Sequence, residues 1–163
     1  MTSEFRKQLD NLKNNAESNL VDQLINIDPS RRYVLFADDN TAILSLISVF
    51  MQGNGINNFI LSENVKSAMA IIERLNGGFH HIIGMAVLDI DFGVMGGDVN
   101  DLIKVLAPKN IPIVIYSALG NWQKYILPEY RDTIKFVKKG GVSSLSEIYD
   151  LVIANIGNNA ISN

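Results

Sequence analysis

The run Met85-Ala86-Val87-Leu88-Asp89-Ile90-Asp91 is apolar until it stops on a carboxylate. A strand that is apolar on both faces belongs between two layers, which is the habit of a parallel sheet covered by helices on both sides. In open α/β sheets ligands bind beyond the carboxyl ends of the strands, so Asp89 stands where chemistry is expected. Asp38-Asp39 ends a second such strand, Ser117 a third and Lys139 a fourth. Carboxylates, a hydroxyl and an ammonium are therefore expected to converge at one edge of the sheet.

Periodicity fills in the rest of the chain. Phe5, Leu9, Leu12, Ala16, Leu20 and Leu24 recur in steps of three or four, which predicts an amphipathic helix. Asp28-Pro29-Ser30-Arg31-Arg32 ends it, because proline disfavours helix in the residue before it. Tyr33 to Ala37 reads as a strand, and Asp38-Asp39-Asn40-Thr41 carries side chains suited to capping the helix of Ile43, Leu44, Ile47 and Phe50. Gly53-Asn54-Gly55 stops that helix, and the short strand Phe59-Ile60-Leu61 follows. Ser62 to Leu75 is expected to be helical, closed by Gly77-Gly78, with Phe79-His80-His81-Ile82-Ile83 leading into the central strand. His80 and His81 have no matching ligand set and read as surface or edge residues.

Gly93 to Gly97 reads as a flexible loop, and Asp98 as the cap of a helix from Val99 to Leu106. A strand from Ile111 to Tyr116 carries its proline near the start, where it is tolerated. The next helix, around Asn121 to Leu127, must be short or bent because Pro128 interrupts it. Ile134 to Lys138 is the last strand, and Ser144-x-x-Glu147 matches a capping box for the last helix. Alternating strands and helices imply a doubly wound, five-stranded parallel sheet with an extra N-terminal helix. The expected division is an amphipathic helix and linker over 1–30, one domain over 31–157, and a frayed tail over 158–163.

Composition excludes several classes. The 163 residues contain no cysteine, which removes disulfides, thiolate catalysis and Cys-based zinc sites and fits a reducing cytoplasm. A formal net charge of -3 gives no global basic field, so nucleic acid is not the expected partner. The first residues are charged and polar, unlike a signal peptide, and no run approaches the roughly 18 apolar residues of a membrane span.

The ordered set of Asp38-Asp39, Asp89, Ser117-Ala118 and Lys139 resembles the response-regulator receiver domains of two-component signalling, over about Tyr33 to Ile156. The stretch from Asp89 to Gly97 resembles the family's D-x-x-x-P-x-M-x-G pattern, keeping Met95 and Gly97 but with Gly93 in the proline position. Gly140 likewise stands where the family has a proline after its lysine. The resemblance implies a CheY-like sheet of order 2-1-3-4-5 and a phosphoryl group accepted on Asp89 from a histidine kinase or histidine phosphotransfer protein. It implies Mg²⁺ held by Asp38, Asp39, Asp89 and the backbone carbonyl of Asp91. Ser117, Ala118 and Lys139 would bind the phosphoryl group, with Ser117 and Phe136 as the switch pair and output through a downstream protein target. A register difference of one residue would exchange Lys139 for Lys138.

The chemistry agrees. Moving a phosphoryl group onto a carboxylate needs cations and in-line positioning more than acid–base help. Carboxylates are hard oxygen ligands for Mg²⁺. A rival reading takes Asp89-x-Asp91 as the D-x-D of haloacid-dehalogenase-like phosphatases, with Asp89 the nucleophile and Asp91 the acid. In that family the acidic pair follows the lysine, whereas Asp38-Asp39 precedes Asp89. A Rossmann domain lacks its G-x-G-x-x-G after the first strand. A receiver-fold binding module that works unphosphorylated is the third reading. The N-terminal apolar stripe is expected to pack on its own domain or on a second copy in a homodimer.

Overall fold

The computed structural model describes residues 23–76 and 82–157. The expected helix over most of residues 5–22, the Gly77-Gly78 stop, His80 and His81, and the tail over 158–163 lie outside them. Strands β1 (Tyr33–Ala37), β2 (Phe59–Ser62), β3 (Ile83–Leu88), β4 (Ile113–Ser117) and β5 (Lys135–Lys138) form one parallel sheet in the order β2-β1-β3-β4-β5. The helices are α1 (Thr41–Gly53), α2 (Val65–Asn76), the single turn α3 (Gly93–Gly96), α4 (Val99–Leu106) and α5 (Gly141–Ile156).

Every residue of β1, β3 and β4 is buried, as two-sided coverage requires. Alternate side chains serve opposite layers. Leu35, Ala86, Leu88 and Ile115 face Ala68, Ile72, Leu102 and Ile103 of α2 and α4. Val34, Phe36, Met85 and Val114 face Leu44, Ile47, Ile148 and Val152 of α1 and α5. With the strands parallel, Asp38, Asp89, Ser117 and Lys139 all fall at the same end of the sheet.

The caps follow the sequence at two helices. Asn40 Oδ1 accepts from the amides of Ala42 and Ile43 at the start of α1, and Asp98 Oδ1 accepts from the Asn100 amide at the start of α4. Three expectations are corrected. The helix expected from Ser62 begins at Val65, because Ser62 closes β2 and Asn64 Oδ1 takes the Ser67 amide. The region expected as a helix around Asn121 to Leu127 is a 3₁₀ turn, Trp122–Tyr125, followed by another over Pro128–Thr133. Pro128 stands at the start of the second turn, where its missing N–H costs nothing, and no α-helix crosses it. Ser144 is not an N-cap: α5 begins at Gly141, and Ser144 Oγ lies 3.0 Å from the Tyr116 hydroxyl and donates to the Gly141 carbonyl.

The end of the N-terminal extension packs on the sheet. Residues 23–25 are helical, and Leu24 and Ile27 are buried with Ile60, Val65 and Ala68. The Gln23 side-chain amide imitates a neighbouring strand against the edge strand β2. Its Nε2 donates to the Leu61 carbonyl at 3.1 Å, and its Oε1 accepts from the Leu61 amide at 2.7 Å. Two such bonds contribute roughly 1 kcal/mol each. Gln23→Ala is therefore expected to lower the melting temperature by about 4–8 °C, taking ~2–4 °C per kcal/mol for a chain of this size. An unchanged melting curve would show that the extension does not brace the edge.

Candidate functional site

Backbone hydrogen bonds set the strand ends before any side chain is considered. The Asp38 amide donates to the Ser62 carbonyl at 3.0 Å, the Asp89 amide to Ala37 at 2.8 Å, and the Lys139 amide to Ser117 at 2.9 Å. These parallel-ladder contacts continue the sheet by one residue and bring the three side chains together.

Carboxylate oxygens of Asp38, Asp39 and Asp89 lie within 4.8 Å of one another, with Asp38 and Asp89 buried and Asp39 exposed. One ammonium serves two of them: Lys139 Nζ is 2.6 Å from Asp38 Oδ2 and 2.7 Å from Asp89 Oδ2. Lys138, which pairs with Ser117 across the strands, is exposed, so Lys139 is the lysine that reaches the carboxylates. The ammonium also lies 5.7 Å from the centre of the Tyr116 ring.

Burial pushes the Asp38 carboxyl up; the hydrogen bonds from Lys139 and the Asn40 amide offset this only in part, and Asp89 adds repulsion. For Lys139 burial works against the charge, but hydrogen bonds and attraction from Asp38 and Asp89 together outweigh it, so its pKa is raised. Asp38 Oδ1 accepts from the Asn40 amide at 2.9 Å. Its Oδ2 is buried, with the Lys139 ammonium at 2.6 Å as its partner. Three carboxylates whose oxygens lie within 4.8 Å of one another, sharing a single ammonium, are a donor set that fits a hard divalent cation.

The remaining candidates lie around this centre. Ser117 is buried, and its Oγ accepts from the Leu119 amide at 3.3 Å, a bond that uses a lone pair and not its O–H. Ala118 is exposed beside it. The Asp91 carboxylate is exposed and accepts from the Gly93 amide at 3.0 Å. It is not part of the three-carboxylate cluster. Gly93 has φ 64°, a conformation closed to proline, so this loop backbone requires the glycine found here. Among the described residues no peptide bond is cis, and Gly140 has φ 172°, extended backbone.

Phe136 is half-buried, and its ring stacks on Trp122 with centroids 5.6 Å apart and planes 7° from parallel. Sequence reading missed that contact, and it missed Asn100. This side chain is only 8% exposed and bonds both the Tyr125 carbonyl and the Leu127 amide. No local pattern signals a bond across 25 or 27 residues; the one cue was an amide placed two residues after a helix cap.

No family model matches the sequence, and no curated relative matches it either. Solved structures do match in fold. The receiver domain of the hybrid histidine kinase CckA superposes with a TM-score of 0.53 at 19% identity, covering 73% of this chain and 96% of that one. The chemotaxis protein CheY4 of Vibrio cholerae gives 0.57 at 18% identity, over 75% and 98% of the two chains. The Mn²⁺-bound form of the response regulator Rcp1 gives 0.57 at 14%, over 81% and 99%. The five parallel strands, their 2-1-3-4-5 order and the helices on both faces give this chain the fold of CheY-like receiver domains.

Proposed function

We propose that the chain is a phosphorelay receiver that accepts a phosphoryl group on Asp89 from the phosphohistidine of a histidine kinase or histidine phosphotransfer protein. The observation that carries this is Lys139 Nζ held between Asp38 Oδ2 and Asp89 Oδ2 at the carboxyl edge of the sheet. A carboxylate oxygen of Asp89 attacks phosphorus, and the P–N bond of the donor breaks. The imidazole leaves with the bonding pair and takes up a proton from solvent. Lys139, already against Asp89, shifts to a phosphoryl oxygen and offsets the charge arriving there. Ser117, whose Oγ accepts from the Leu119 amide, donates its O–H to another phosphoryl oxygen, with the Ala118 backbone beside it.

Mg²⁺ would be held by the carboxylates of Asp38, Asp39 and Asp89 and the carbonyl of Asp91. When bound it supplies positive charge to the phosphoryl oxygens. The Mn²⁺-bound state of Rcp1 supports a divalent ion in this fold. The Asp91 carboxylate, bonded to the Gly93 amide, is poorly placed as an acid for the phosphatase alternative. The protein target downstream is reached through surface contacts, in a cytoplasmic setting. Among the described residues no helix is long and apolar enough to cross a membrane.

Incubation with acetyl phosphate and Mg²⁺, read by intact mass, tests the reading; a single phosphoryl adduct is expected, and its absence would refute it. Asp38→Ala and Asp39→Ala are each expected to weaken Mg²⁺ binding more than tenfold. A unit charge about 4 Å from a divalent ion is worth ~2 kcal/mol even in the dielectric of water, and 1.4 kcal/mol is tenfold. Unchanged affinity in both variants, measured by calorimetry, would remove the metal from the account.

A further inference from the structure

Between β4 and β5 the chain makes 3₁₀ turns, and one side chain from another element fastens them. Asn100, the second residue of α4, donates from Nδ2 to the Tyr125 carbonyl at 2.8 Å and accepts at Oδ1 from the Leu127 amide at 3.0 Å. Asp98 Oδ1 aims it, accepting from both its backbone amide and its Nδ2 at 2.9 Å. The Arg131 Nε bond to the Ile126 carbonyl holds the residue between. Ile126 and Trp122 are buried, and Trp122 lies flat against Phe136.

The aromatic on β5 is therefore not free to turn by itself; its partner ring belongs to the segment that Asn100 holds. Asp98 in turn ends the loop that begins at Asp89 and Asp91. At its far end the loop is packed closely, since a Cβ on Gly97, at φ 95°, would lie 2.8 Å from Val65 Cβ, while Val94 and Met95 between are exposed. Phe92 within it is buried. Phe92 and Gly97 are thus the two packed points through which a displacement at Asp89 would reach Asp98 and Asn100.

We propose that Asn100 is a latch: it holds residues 122–127 and the Trp122–Phe136 stack in the resting arrangement, and a phosphoryl group on Asp89 opens it through the loop that leads to Asp98. This rests on Asp89 as the phosphoacceptor. The latch adds a second route to the aromatic pair, besides the Ser117–Phe136 switch that the resemblance implies. It makes Asn100 a positioning residue, since its hydrogen bonds go to Asp98, Tyr125 and Leu127 and not to Asp38, Asp39, Asp89 or Lys139.

The test uses beryllofluoride with Mg²⁺ as the phosphoryl mimic. In the wild-type protein the Leu127 amide is expected to exchange with solvent at least tenfold faster once the mimic is bound, with a shift in Trp122 emission. A Trp122 shift with unchanged Leu127 protection would overturn the latch. In Asn100→Ala, the emission before adding the mimic should already lie near that of the mimic-bound wild type, and the further response should fall at least threefold. Labelling of Asp89 by acetyl phosphate should stay within twofold of wild type, which a general loss of structure would not allow. A full Trp122 response in the variant would overturn the proposal. Should Asn100→Ala fail to fold, Asn100→Asp keeps the acceptor for Leu127 and loses the donor to Tyr125, and is judged by the same response. Absence of labelling in the wild type would instead overturn the phosphoacceptor reading, by a measurement separate from both latch readouts.

Discussion

Asp89→Asn should abolish the phosphoryl adduct while leaving the fold intact. The neutral amide oxygen is a poor nucleophile, and the substitution removes the negative charge that would help to hold the metal. The side chain keeps its shape, so its amide oxygen can still accept from the Ile90 amide, now 2.7 Å from Asp89 Oδ1. What changes is the partner of Lys139, which loses its charged contact at Asp89 Oδ2 and keeps the one at Asp38 Oδ2. That loss is offset by relief of the repulsion between Asp89 and Asp38, so the melting temperature should move little, whereas labelling by acetyl phosphate with Mg²⁺ should fall below detection by intact mass. A variant labelled as well as the wild type would place the acceptor elsewhere.

The features that were legible in the sequence are those that a local pattern encodes. Met85 to Leu88 is apolar at successive positions, and only a strand covered on both faces buries all of them. Asp38, Asp89 and Lys139 each close a strand. Parallel connectivity then puts them at one end, so their meeting followed from order alone. The illegible parts depend on bonds between distant residues. Asn121 to Leu127 has a composition that a helix tolerates, and the backbone there is instead pinned by Asn100, 25 and 27 residues away, and by Arg131. The spacing of Ser144 and Glu147 fits a capping box, yet Ser144 Oγ faces Tyr116, 28 residues back, and α5 already begins at Gly141, whose φ of 67° favours glycine. Gln23 reaches Leu61 across 38 residues. Side-chain-to-backbone bonds of this range leave no periodicity to read, and they decide how loops are fastened around a sheet whose strands were plain.

Lys139→Met tests the electrostatics of the centre. Methionine retains most of the buried stem, so the main loss is the charge that Asp38 and Asp89 share. Removing one partner of a buried ion pair costs ~3–5 kcal/mol. Lys139 keeps 16% side-chain exposure and solvent screens part of the loss, so about 2–3 kcal/mol is expected, or a melting temperature lower by about 4–12 °C. The pH dependence gives the cause. The folded pKa of Asp38 is raised above 3.8, burial being the first reason, and loss of the Lys139 contacts that lower it raises it further. A folded carboxyl with a raised pKa contributes stability that is fully present below about 3.8 and is lost as pH rises through the folded value. The deficit of Lys139→Met should therefore be largest at neutral pH and shrink on acidification towards pH ~4, as protonation of Asp38 removes the repulsion. Alkaline pH supplies the converse in the wild type. The raised pKa of Lys139 contributes stability that is fully present below 10.5 and lost as pH rises through its folded value, a loss the variant cannot show. Mg²⁺ should stabilise Lys139→Met more than the wild type, because a bound cation takes the place of the ammonium among three carboxylates. A deficit independent of pH, with equal Mg²⁺ stabilisation in both proteins, would mean that Lys139 acts there by packing and not by charge.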